Sequence, residues 1–249
     1  MKDESEKVLQ DVSDLCNDER ELEAEVLLHE QLAKDPDNLE LMTKLGEIQA
    51  RLCNDGEAEA TFRTVLIRDP DYEAAVCALG TLLDQSLRTE EAEQLYREYL
   101  ERNPVSHLAV EGLCRLLLSE NRSEDALQLA RKQVVDFKEV LDAYRPIMYV
   151  LEILEDDLES ELLDNWEDPT AFTAYLNNLI EQLELVPKLE KLGISSEDFM
   201  FELEDEKSRL VCEIDQLLDR ATSRNITVSS ILQQQIDAAL SKVRDELHS

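Results

Sequence analysis

Several things are in short supply in this chain. Five glycines and six prolines among 249 residues leave little material for turns. β-branched residues are few beside Leu, Glu, Ala, Asp and Gln, a mix that favours helix over strand. No long apolar run exists. The best candidate, IMYVLEIL (147–154), contains Glu152 and is too short to cross a bilayer. The opening MKDESEKVLQ has no apolar centre and does not resemble a secretory leader. The five cysteines, at 16, 53, 77, 114 and 212, form no Cys-x-x-Cys pair, and their number is odd. Small buried hydrophobes in a reduced, cytoplasmic setting are the expectation. Positive charge is scarce too: 25 basic residues stand against 58 acidic ones, a net −33. A field of that sign disfavours nucleic acid and anionic membranes as partners. With 43% hydrophobic residues the chain still has the material for a packed core.

What is present is a period. LAKDPDN (32–38), LIRDPDY (66–72) and LERNPVS (100–106) place Pro36, Pro70 and Pro104 34 residues apart. In frames of that length, Leu45-Gly46 returns as Leu79-Gly80, Ala58 as Ala92 and Phe62 as Tyr96. The frame 107–140 keeps Leu113, Leu117 and Ala126, with Cys114 where glycine stood. The frame 5–38 keeps Leu15, Ala24, Leu28 and Pro36. Within a frame the apolar residues recur at helical steps, in two groups. Asn54-Asp55-Gly56 is read as stopping the first helix and starting the next. Proline then ends the second helix.

Leu-Gly, then Ala-x-x-x-aromatic, then Pro on a 34-residue period resembles the tetratricopeptide repeat. The resemblance covers 5–140, in the frames 5–38, 39–72, 73–106 and 107–140. It implies an all-α fold, a right-handed solenoid of helical hairpins. The small residues allow close helix crossing and the aromatics fill the space between hairpins. Met42, Val76 and Val110 stand where the family has an aromatic, and Gln49, Leu83 and Leu117 where it has tyrosine.

Beyond 140 the grid fades. Leu141, Tyr144, Ile147 and Leu151 begin a possible fifth frame. Residues 150–166 read as one amphipathic helix with Leu151, Leu154, Leu158 and Leu162 in a stripe closed by Trp166. Its other face is acidic, without the DxDxDG spacing of a calcium loop. Asp168-Pro169 starts a helix, and Pro187 and Gly193 are expected to break it. Ser195 and Asp198 suggest a capping box opening a helix to about Ala221, with Phe199, Leu203, Leu210, Ile214, Leu217 and Ala221 inward. A last helix carries Ile231, Leu232, Ile236, Leu240, Val243 and Leu247. The region 141–249 is thus a helical part that caps the solenoid or forms a hairpin. Pairing between chains into a homodimer is the alternative. Asn225-Ile226-Thr227 matches a glycosylation sequon and is discounted without a leader.

Catalytic chemistry finds no foothold. His29, His107 and His248 are scattered, and there is no zinc spacing, phosphate loop or nucleophile elbow. Neither cofactor nor metal is expected. Carboxylate chemistry in the second half would require single Asp or Glu residues to be essential. What the resemblance implies instead is a concave face built by the first helix of each hairpin. It assigns to that groove Glu40, Thr43, Glu47 and Arg51, then Cys77, Thr81 and Asp84, then Leu108, Glu111, Arg115 and Leu118. Repeats that hold the carboxylate tails of heat-shock chaperones carry a Lys, Asn and Arg cluster there, which this chain lacks. The expected function is a non-catalytic interaction module or scaffold that binds a neutral or basic, partly apolar protein segment. The alternative is an acidic chaperone for a secreted or aggregation-prone client.

Overall fold

The computed structural model describes residues 2–164, 169–192, 197–223 and 228–247. All its regular elements among those residues are helices. The chain forms two compact units, Met1–Arg122 and Ser123–Ser249. Their border lies inside the fourth 34-residue frame.

The first unit holds α1 (Lys2–Asn17), α2 (Glu21–Leu32), α3 (Leu39–Arg51), α4 (Asp55–Arg68), α5 (Glu73–Gln85), α6 (Thr89–Arg102) and α7 (His107–Ser119). Each helix packs on the next, and α3 on α5 and α5 on α7 as well, which is the stacking of a hairpin solenoid. The repeat positions do what their types demand. Ala24, Ala58 and Ala92 are fully buried at helix crossings, and Phe62 and Tyr96 are almost so. Burying such a ring contributes about 2–3 kcal/mol. A Cβ on Gly46 would lie 2.5 Å from the Phe62 ring, and one on Gly80 2.4 Å from Tyr96. Gly112, which belongs to no repeat pattern read above, closes on the same tyrosine: its Cβ would lie 2.6 Å from the hydroxyl. Tyr96 therefore lies between two glycines from two hairpins.

The turns are only partly as expected. Asn54-Asp55-Gly56 starts α4, with Gly56 in its first turn and open space around it, but α3 has already ended at Arg51. The chain reverses at Glu19, Cys53, Leu87 and Asn121, each with φ near +60°. These left-handed residues recur every 34 positions, and none is glycine. Backbone bonds of the helix-ending type, such as Arg88 N to Leu83 O at 2.8 Å and Leu87 N to Asp84 O at 2.9 Å, hold them there. Asn38 and Ser106 cap the helices that follow the prolines, accepting from Leu41 N and Ala109 N at 3.1 Å.

Ion pairs follow the same period. Arg68 binds Asp37 and the Pro36 carbonyl, and Arg102 binds Asp71 and the Pro70 carbonyl. Arg88 reaches Glu59 at 2.7 Å and Arg122 reaches Glu93 at 2.8 Å. Arg63 joins Glu59 as Arg97 joins Glu93. Arg20 takes Asp18 and Glu23, and Arg51 takes Glu21. Exposed pairs of this kind are individually worth little. The carbonyl contacts tie each second helix to the turn before the hairpin's first helix.

The second unit holds α8 (Ser123–Asp136), a 3-10 turn (Leu141–Tyr144), α9 (Arg145–Asp164), α10 (Pro169–Lys191), α11 (Glu197–Ser223) and α12 (Ser230–Leu247). Here α9, α11 and α12 all pack against α10. Tyr144, Ile147 and Leu151 are buried, as are Leu210, Ile214, Leu217, Ala221, Leu232, Ile236 and Leu240. Leu162 is buried too, whereas Leu154 and Leu158 are half-buried. The break expected at Pro187 does not occur: α10 runs through it. Leu183, Leu185, Val186 and Leu189 are all buried around that turn, so packing outweighs the lost amide bond. Trp166, Asp168, Gly193, Ser195 and the sequon at 225 lie outside the described residues, as do the side chains of Phe199, Leu203, Ile231, Val243 and Leu247. Polar side chains also bridge inside this unit. Asn178 donates to the Leu151 carbonyl at 3.1 Å, and Gln182 to Glu155 at 2.6 Å. Arg209 gathers Glu155, Glu206 and Glu213 at 2.6–2.9 Å.

Candidate functional site

A groove of about 660 Å³ opens within the first unit. The first helices of three successive hairpins, α3, α5 and α7, line it, and the ring residues of the second helices form its floor. Each wall residue follows from the 34-residue register. Glu47, Thr81 and Arg115 occupy one position, and Ala74 and Leu108 another. The central helix contributes the short side chains of Ala74, Cys77, Ala78 and Thr81, and beyond them Leu82 and Gln85. The flanking helices contribute long ones, Glu47 and Arg51 on one side and Leu108, Glu111 and Arg115 on the other. Phe62, Tyr96 and Gly112 lie at the bottom.

Of the residues the resemblance assigns to the groove, Glu47, Arg51, Cys77, Thr81, Leu108, Glu111 and Arg115 line the cavity. Glu40, Thr43, Asp84 and Leu118 do not. Thr43 is 3% exposed and spends its hydroxyl on the Leu39 carbonyl at 2.8 Å. Glu40 stands in solvent, and Asp84 and Leu118 are half-buried away from the cavity. Ala78, Leu82 and Gly112 are groove residues that the repeat pattern did not mark; the register between α5 and α7 makes them so.

A polar relay crosses the floor. Arg115 donates to the Thr81 hydroxyl at 2.8 Å, Thr81 to the Cys77 carbonyl at 2.9 Å, and the Tyr96 hydroxyl to the same carbonyl at 3.3 Å. Lys44 pairs with Glu47 at 2.9 Å. Burial pushes the Cys77 thiol up to about 12, and Glu73 and Glu111 add to the effect. The Cys114 thiol and the Tyr96 phenol rise to about 12 for the same first reason. Thiols held so far from ionisation are poor nucleophiles and poor metal ligands. Among the described residues no group of three or more His, Cys, Asp or Glu is placed to hold a metal ion. No helix among them is long and apolar enough to cross a membrane.

Helical hairpins stacked on a 34-residue register, with a groove along their first helices, define a solenoid repeat protein. The sequence matches the tetratricopeptide repeat twice, over residues 19–83 and 77–134. Residues 19–134 of this chain are thus tetratricopeptide repeats, and such repeats bind protein partners. No curated protein matches it. Several solved structures are similar at low identity. A tetratricopeptide repeat protein from Parabacteroides merdae is 15% identical with a TM-score of 0.47, covering 94% of this chain and 98% of that one. A MamA protein is 18% identical with a TM-score of 0.47, covering 76% and 97%. A thermophilic protein of the same repeat class from Thermus thermophilus is 17% identical with a TM-score of 0.47, covering 70% and 98%.

Proposed function

We propose that this chain is a non-catalytic scaffold that holds a neutral or basic, partly apolar segment of a partner protein in the α3–α5–α7 groove. The observation that carries the reading is the groove itself: small residues on most of the central helix's wall, an exposed Leu108, and Glu47 and Glu111 on opposite sides. An apolar side chain fits the centre, and cations fit the carboxylates. The Tyr72 phenol, raised first by burial and then by Glu40, Asp69 and Glu47, supports a negative field at the α3 end. The proposed setting is the cytoplasm, with all five cysteines free.

A photo-crosslinker at Ala78 in the full-length protein tests this in native lysate. The expected product is a partner captured at Ala78 and not at Ile67, which is 81% exposed on α4. Capture should fall with salt and with Glu47→Ala/Glu111→Ala. Equal capture at both positions, or none at Ala78, would overturn the reading. If the captured protein precipitates whenever this chain is withheld, the module acts as a chaperone for that client.

A further inference from the structure

One groove residue breaks the pattern of its unit. Every other arginine of residues 1–122 is held by at least one carboxylate in the ion pairs described above, in a chain with 58 acidic residues. Arg115 has none within 4 Å among the described residues. It is exposed on the groove wall, and its one hydrogen bond goes to the neutral Thr81 hydroxyl at 2.8 Å. A guanidinium carries five N–H donors in a planar fork suited to a carboxylate. One is used here, and the rest face water and the cavity. Glu111, one helical turn earlier on α7, lines the same cavity.

We infer that Arg115 receives a carboxylate side chain of the bound segment, an internal Asp or Glu, and that a Lys or Arg about one turn away on the segment meets Glu111. This refines the groove reading above and rests on it. The wall offers charges of both signs one turn apart, so it selects order as well as sum: an acid and a base at matching spacing, within a segment that stays neutral or basic overall. A chain terminus fits less well. It brings a second anionic group near Glu111 and Glu73, the carboxylates that already raise the Cys77 thiol.

The test is selection of a displayed library of random peptides on the full-length protein. The strongest binders are then synthesised with free and with amidated C-termini. Selected sequences should share an Asp or Glu three or four residues from a Lys or Arg. Changing that acid to its amide should weaken binding about tenfold, as should Arg115→Gln, and combining the two should cost little more. Amidating the terminus should change nothing. Arg115→Gln should melt like the parent chain, because only the Thr81 bond is lost. Binders without an acid, affinity indifferent to Arg115→Gln, or loss on terminal amidation would each overturn the inference. Peptides that bind just as well when Ala78→Leu fills the groove would overturn the groove reading instead.

Discussion

The two units solve the same problem differently. Residues 1–122 use short helices of 12–16 residues and repeat each device. A left-handed residue, a buried alanine and an arginine pair return in every frame or nearly so. The second unit uses α9 to α12, of 18–27 residues, and concentrates its polar bonding on α10 and on Arg209. Tyr175, buried on α10, donates a hydrogen bond to Glu213, one of the three carboxylates around that arginine. Distribution means that no single exposed pair in the first unit matters much. Concentration means that one side chain in the second unit matters more.

The largest expected effect is steric and belongs to the first unit. Gly80→Leu must displace Tyr96, which Gly112 blocks from the other side, at a cost of about 3 kcal/mol. Urea unfolding reads it, and unchanged stability would remove the two-glycine clamp from the comparison. Next comes Arg209→Met, which leaves Glu155, Glu206 and Glu213 facing one another. Discounted because Arg209 is 42% exposed, the loss should be about 1–2 kcal/mol. The matching change in the first unit, Arg88→Met, should cost distinctly less, because that guanidinium stays in solvent. Equal losses at the two sites would erase the contrast between distributed and concentrated pairing.

A gain is expected at a turn. Leu87 is 89% exposed at φ 59°, where glycine is at ease and a Cβ is not. Leu87→Gly should stabilise the chain by about 1 kcal/mol in thermal melts. Smallest and broadest is the response to pH. Arg88 and Arg122 hold Glu59 and Glu93 below the usual carboxylate range, and Arg102 does so for Asp71. Groups lowered in the folded state contribute above their unfolded values and lose that contribution as pH falls through the folded ones. Stability should therefore hold from pH 7 to about 5 and fall below about 4. Stability unchanged below pH 4 would show that these pairs contribute nothing.

The repeat frames could be read from the chain because proline, alanine and aromatics each have one physical role at fixed spacing. The turns could not. Glu19, Cys53, Leu87 and Asn121 share a backbone conformation but no chemistry, and Asn54-Asp55-Gly56 marked the start of α4 but not the left-handed residue before it. Gly112 escaped because its role depends on a ring in the preceding hairpin. Pro187 misled because local propensity yields to the buried residues around it. Within the groove, register placed seven of the eleven assigned residues on the cavity. Thr43 missed because it lies too deep, and Glu40 because it lies too far out. That Arg115 differs from every neighbouring arginine is a fact about partners in space, which no single-chain pattern contains.

The left-handed turns make the first unit divisible. Cys53 and Leu87 begin equivalent turns, so excising residues 53–86 joins Leu52 to Leu87 in the geometry Leu52 already feeds. Gly46 would then meet Tyr96 in place of Phe62, and Arg88 would start the same helix as before. The groove would shorten by one wall and lose its small-residue centre, while the unit remained a stack of hairpins. Length, for this architecture, is a quantity that can be edited in whole frames.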